Sequence, residues 1–163
     1  MAVLFGAVGN GGTEFKPQIL KSIQTVEGQA VKTAQPEIIG KLPVSKETLD
    51  LVRKGLRAVV HSKQGTARWY VYDDEFDISG KTGTAQVVSR KTEKESQHKK
   101  NNVSYESHAW FVGYAPSQNP EIVVSVLIEH GKHGSSCAGP IAKEMIVSYL
   151  KGMVDNSTVL YEK

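Results

Sequence analysis

Ile78-Ser79-Gly80-Lys81-Thr82-Gly83-Thr84-Ala85-Gln86 combines a lysine ammonium, two threonine hydroxyls and two glycines inside a segment that reads as a β-strand. Side chains alternate along a strand, so Thr82 and Thr84 belong to one face and Lys81 to the other. A ligand touching all three would therefore lie along the strand's edge. A phosphate-binding loop would need glycine at position 75, where the chain carries Glu75. A plain alternative is a polar edge strand whose lysine blocks edge-to-edge aggregation.

Two apolar runs follow, Ala109 to Ala115 and Ile122 to Ile128, joined by Pro116-Ser117-Gln118-Asn119-Pro120. So short a connection predicts an antiparallel pair, and the near-continuous apolar character predicts a sheet covered on both faces. The segment from Arg90 to Glu106 is polar, mixed in charge and without period, which predicts a loop. A last helix from Gly139 to about Leu150 can cover one face of the sheet. It offers two rows, Ile141, Met145 and Tyr149 beside Ala142, Ile146 and Leu150.

Upstream, Ala2 to Val8 reads as a short helix stopped by Asn10-Gly11-Gly12-Thr13. Phe15 to Val31 fits a hairpin turning at Glu27-Gly28, and Gln35 to Pro43 reads as a connector. Ser45 is placed to cap an amphipathic helix to about Ser62. Leu49, Val52, Leu56 and Val59 form its apolar face, with Val44 stapled against Leu49. Gly65-Thr66-Ala67 then reads either as a loop and the start of a short helix or as a contact with substrate.

The 163 residues suffice for one domain, and 39% hydrophobic with 23% charged residues is ordinary for a globular chain. A net charge of +3 from scattered basic residues argues against nucleic acid as a partner. No apolar run is long enough to span a bilayer, and Met1-Ala2-Val3-Leu4-Phe5 has no basic region or cleavage pattern of an export signal. Cys137 is the single cysteine, which excludes an internal disulfide.

Gly80-Lys81-Thr82-Gly83-Thr84-Ala85-Gln86, followed by His108-Ala109-Trp110-Phe111-Val112-Gly113-Tyr114-Ala115-Pro116, resembles the C-terminal part of the transpeptidase domain of class B penicillin-binding proteins, in particular the elongation-type penicillin-binding protein 2. The likeness runs from about Ala2 to Leu150. It implies an α/β (α+β) fold, an antiparallel sheet with helices on its faces. Residues 1–152 would be the C-terminal part of that domain, with a polar loop at 90–106, and 153–163 a loose tail. Two further strands and a helical subdomain would come from upstream, leaving three main strands here and some exposed apolar surface.

The resemblance also implies a chemistry. In the family a serine attacks the D-Ala-D-Ala bond of a peptidoglycan stem peptide, and an amine resolves the acyl-enzyme into a cross-link; β-lactams mimic the dipeptide. By position, Lys81 would supply positive potential to the substrate carboxylate and to proton transfer. Thr82 and Thr84 would bind that carboxylate, Gly83 would keep the strand flat, and the Thr84 N–H would be one oxyanion-hole donor. No cofactor is implied. The chain would be a soluble piece of a membrane-anchored parent on the outer, periplasmic face of the cytoplasmic membrane, making no membrane contact itself. Its partners would be stem peptide, β-lactams and the upstream half of its own domain.

The nucleophile's Ser-x-x-Lys should precede Lys81. Ser96-Gln97-His98-Lys99 and Ser148-Tyr149-Leu150-Lys151 both follow it, and Ser117-Gln118-Asn119 matches Ser-x-Asn only as a turn. All three read as decoys, so the chain alone is expected to be without turnover. Other classes stay open: a non-catalytic module binding peptidoglycan or a partner, or a β-lactam sensor. His130, His133 and Cys137 are weak zinc candidates at short spacing, against a flexible loop in which Ser135 or Ser136 caps the last helix. His61, His98 and His108 have no motif around them.

Overall fold

The computed structural model describes residues 1–86 and 106–159, with side chains to residue 152. In order, α1 is Ala2–Gly9, β1 Thr13–Phe15, β2 Ser22–Gln24, β3 Ala30–Thr33, β4 Ile38–Lys41, α2 Lys46–His61, α3 Arg68–Val71, β5 Ser79–Ala85, β6 His108–Ala115 and β7 Ile122–Ile128. A π-helical turn, Gly134–Ala138, leads into α4, Gly139–Val159. Most of the predicted loop at 90–106 lies outside the described residues, as does 160–163. Among the described residues no helix is long and apolar enough to cross a membrane.

The main sheet is antiparallel with order β5-β6-β7, which among the described residues makes the Lys81 strand an edge, as both readings of 78–86 expected. Strand β6 is central and almost wholly buried, which explains its unbroken apolar run. Strand β7 differs from the expectation of two covered faces. Val124 and Val126 are buried while Ser125 is exposed and Leu127 is 41% exposed, so its outer positions meet solvent.

One face of the sheet carries Ala109, Phe111, Ala115, Val124 and Val126, which form a core with Ala142, Ile146 and Leu150 of α4, Val71 of α3 and Val60 of α2. Only one of the two predicted rows of α4 is used. Ile141, Met145 and Tyr149 are 44, 52 and 43% exposed, because a sheet of three strands offers the helix one narrow seat. The helix also continues to Val159, past its expected end near Leu150. Neither Ser135 nor Ser136 caps it; His133 precedes the π-helical turn and makes no side-chain cap.

The opposite face is covered at one end by α1. Gly6 and Gly9 let that helix lie close to Val123, Tyr114 and Pro120. Helix α2 starts as expected, the Ser45 hydroxyl accepting the Thr48 N–H at 3.2 Å. Leu49 and Val60 are its buried residues, whereas Val44 and Val52 are 47 and 43% exposed, so the expected staple leaves Val44 in solvent. The predicted hairpin is real but short, β2 against β3, with Gly28 at φ +83° in the turn. The connector at 35–43 instead contains β4, paired antiparallel with β1.

Two contacts fix the start of β5. The Phe111 ring lies over Gly80 and Gly113, which face each other across β5 and β6. A methyl group at Gly80 would stand 2.5 Å from the ring and 2.7 Å from the Val112 carbonyl oxygen. Asp77 then ties the strand to α2. Its carboxylate accepts Arg57 Nε at 2.9 and 3.1 Å and meets His61 Nε2 at 2.9 Å, while that nitrogen is also 3.1 Å from the Ile78 carbonyl. Both neighbours of Nε2 are acceptors, so the proton of the neutral ring sits there. Burial, then the Arg57 charge, hold the His61 pKa below the ordinary 6.5 against the pull of Asp77.

Gly80→Ala is expected to lower the stability of the chain by roughly 1–3 kcal/mol in urea denaturation, and less in a Phe111→Leu background that makes room for the methyl group. Equal losses in both backgrounds would contradict the ring-on-glycine contact. For His61 the folded state resists protonation, so its stabilising share is complete above the ordinary value of 6.5 and is lost as pH falls through the lowered folded value. His61→Gln keeps an N–H donor without titrating, and should lose less stability than the native chain between about pH 7.5 and pH 5.5. Parallel losses in the two proteins would show that His61 is not the group responsible.

Candidate functional site

Strand β5 runs outward from a buried foot to an exposed edge: Ser79 and Gly80 are buried, Thr82 and Gly83 half-buried, Lys81 and Thr84 exposed. Across the ladder Lys81 faces Val112, Thr82 faces Phe111, Gly83 faces Trp110 and Thr84 faces Ala109. Directly opposed residues share a face, so Thr82 and Thr84 do project to the side opposite Lys81. The lysine's flexible stem changes the outcome. Its Nζ folds back along the strand and donates to the Thr82 carbonyl at 2.9 Å and to Thr82 Oγ1 at 3.3 Å. The ammonium and the hydroxyl thus already converge, although the backbone sends their side chains to opposite faces.

Thr66, from the Gly65-Thr66-Ala67 segment, joins them. Thr66 Oγ1 lies 3.3 Å from Thr82 Oγ1. Gly65-Thr66-Ala67 signalled a loop start in the sequence, but nothing in its spacing shows that it folds back onto a strand beginning at Ser79.

The strand is braced from behind by backbone. Gly134, buried in the turn before α4, sits so close to the N and O of Gly83 and to the Trp110 carbonyl that any side chain there would collide with them. A Cβ on Gly83 itself would meet a different neighbour, Trp110 Cβ at 3.1 Å. Two polar knots hold the flanks. Ser117 donates from its N–H at 2.8 Å and its hydroxyl at 3.0 Å to the Asp77 carbonyl, so the Ser79 hydroxyl is the donor in the 2.7 Å contact between the two serines. Arg53 donates to the Ser117 and Gln118 carbonyls at 3.0 and 2.8 Å.

The second knot secures the loop between α3 and β5. Asp73 accepts the Glu75 and Phe76 N–H groups at 3.0 and 3.1 Å and pairs with Lys143 of α4 at 3.1 Å. Burial raises the Asp73 pKa, but the Lys143 hydrogen bond and the two backbone donors outweigh it, so the carboxyl titrates below its ordinary value. Lys143 also donates to the Tyr72 carbonyl at 2.7 Å.

The remaining sequence candidates fall elsewhere. Ser117 is 3% exposed and committed to the turn after β6, a structural role. Ser148 is exposed in the middle of α4, and Ser96 lies outside the described residues. His130 donates its backbone N–H to His108 Nδ1 at 3.0 Å, and its own Nδ1 is 3.1 Å from the Glu106 carbonyl, which only a protonated Nδ1 can satisfy. His133 is exposed and Cys137 packs half-buried against the core. Among the described residues no three His, Cys, Asp or Glu side chains are grouped to hold a metal ion.

Residues 1–147 match the penicillin binding protein transpeptidase domain. The peptidoglycan D,D-transpeptidase MrdA of Haemophilus influenzae is 32% identical over 143 residues, covering 86% of this chain and 22% of that protein. The chain spans about a fifth of the length of the curated relatives it matches. The solved D,D-transpeptidase domain of a peptidoglycan glycosyltransferase from Eggerthella lenta superposes with a TM-score of 0.67 at 29% identity, over 93% of this chain and 32% of that one. Penicillin-binding protein A of M. tuberculosis, solved as a ceftriaxone acyl-enzyme complex, gives 0.67 over 87% of this chain and 29% of that one; at 24% identity it is a likeness of fold.

Proposed function

Because the chain belongs to the penicillin binding protein transpeptidase domain family, we propose that it forms one wall of the acyl-transfer site of a peptidoglycan D,D-transpeptidase. The observation that carries this reading is the convergence of Lys81 Nζ and Thr66 on the Thr82 hydroxyl at the exposed edge of β5. An ammonium beside aligned hydroxyls on an open strand suits a carboxylate-terminated extended peptide, which can lie along the edge in strand fashion.

In this reading Lys81 and the hydroxyls of Thr82 and Thr84 hold the terminal carboxylate of a D-Ala-D-Ala stem peptide, or the carboxylate of a β-lactam. Lys81 also supplies positive potential to the proton-transfer network. Gly83, pinned by Gly134, keeps the strand flat beneath the substrate. The Thr84 N–H is one of two oxyanion-hole donors, a group typically worth about 10²- to 10³-fold in rate. The attacking serine and the second donor come from sequence outside this chain, and the complete protein works in the cell envelope at the outer face of the cytoplasmic membrane. The chain by itself has no turnover, and needs no cofactor.

Intact-mass spectrometry after incubation with penicillin tests the reading, on this chain and on a longer form that includes the rest of the transpeptidase domain. An adduct on the longer form alone is the expected result. An adduct on the short chain would place a nucleophile within it, with Ser148 and Ser96 the first to be replaced. No adduct on either would favour a module that binds without chemistry. In the longer form Lys81→Ala should slow acylation by at least about tenfold while leaving the thermal midpoint nearly unchanged; an unaltered acylation rate would remove Lys81 from the site.

A further inference from the structure

We propose that Thr66 is a positioning residue that turns Thr82 into an outward-pointing hydrogen-bond donor for the substrate carboxylate; the inference rests on the function proposed above and names a part of that site outside the Lys81 to Thr84 strand. A threonine hydroxyl has one proton to donate and two lone pairs that accept. Lys81 Nζ, which can only donate, occupies one lone pair of Thr82 Oγ1 at 3.3 Å. Thr66 Oγ1, at 3.3 Å, can occupy the second. With both lone pairs filled, the Thr82 proton has no acceptor within this trio and is left for an incoming anion, which can only accept. Without Thr66 the hydroxyl keeps a free lone pair and can rotate.

Thr66 is exposed, yet its backbone is fixed on both sides. The Gly65 N–H donates to the Ser62 carbonyl at 3.0 Å, and the Ala67 N–H to the Val59 carbonyl at 3.1 Å, both at the C-terminal end of α2. Gly65 lies so close to the Ala58 and Val59 carbonyls that no other residue fits there. Fully buried Ala67 anchors the following position. A short exposed loop is thereby held rigidly enough to present one hydroxyl to the neighbouring strand. The same α2 end contacts Asp77 and Ile78 through His61, so the loop and the foot of β5 share one support.

Thr66→Val removes the hydroxyl and keeps the shape; Thr66→Ser keeps the hydroxyl. In the longer form, acylation rates are compared for a penicillin with a free carboxylate and for its methyl ester. Thr66→Val is expected to lower the rate with the acid by roughly threefold to tenfold while leaving the ester nearly unchanged, so that the acid-to-ester ratio falls, and Thr66→Ser should restore it. A purely structural role would lower both rates together and leave the ratio intact, which would overturn the proposal. If the unaltered longer form is not acylated, the carboxylate role fails with the function on which it rests.

Positioning itself is then decided on this chain by NMR, from the three-bond coupling between the Thr82 hydroxyl proton and Hβ, which reports the direction of the O–H bond. Couplings of a single rotamer in the native and Thr66→Ser chains, averaged in Thr66→Val, support it. A single rotamer in all three overturns it.

Discussion

Among the described residues strand β5 receives ladder hydrogen bonds from β6 along one edge only, so its place depends on what presses against it. Glycine makes both contacts possible. At the foot, Gly80 and Gly113 leave a shallow floor for the Phe111 ring, fully buried and joined to the helices on that side. Further out, Gly83 meets the backbone of Gly134, so the turn entering α4 stands directly on the strand. Aromatic ring and backbone are stiffer supports than flexible side chains, which suits an edge that must stay straight while remaining open. The glycines of the Lys-Thr-Gly stretch are therefore packing devices before they are ligand devices.

Helix α2 supplies the complementary constraint. Three residues near one another on its surface each hold a different part of the sheet's end: Arg53 takes the turn after β6, Arg57 the Asp77 carboxylate, and His61 both that carboxylate and the Ile78 carbonyl. Arg68 reaches back to the His61 carbonyl at 2.9 Å and stacks over Tyr72 at 4.1 Å, closing the loop that carries Thr66. Several part-exposed bonds, each individually weak, act on one short segment here. They share a support in α2, so they fix the entry of β5 as a set rather than singly.

The sequence was most legible where a local physical signal was strong. Ser45 and the apolar period of α2, the antiparallel pair at 109–128 and the edge position of Lys81 all follow from caps, periods and a short connection. Strands β1 and β4 were not visible, because each is only three or four residues with no buried position and their pairing spans a hairpin in between. The second apolar row of α4 misled because period alone does not state how wide the surface beneath a helix is. In the site, period two placed the backbone of Lys81 and Thr82 correctly but not the ammonium. A four-carbon stem is long enough to cross the strand, so alternation governs where a lysine starts and not where its charge ends. The partner of Thr66 was hidden for a different reason: its contact with Thr82 exists only after the α2 terminus, the loop and the sheet have come together.

Division of labour between an ammonium and a hydroxyl follows from their chemistry. A lysine head is a compact charge with freely rotating donors, so it attracts any anion and selects little by direction. A threonine hydroxyl is weak but directional once its lone pairs are assigned. Placed together on an open edge, they separate attraction from orientation, and the orienting part costs least when it is settled before the ligand arrives. The proposed role of Thr66 follows that order of events. The partners of Thr82 Oγ1 are Lys81 and Thr66, both within the described residues, so the proposed wall of the site is arranged by the chain's own packing, independently of the group that would perform the attack.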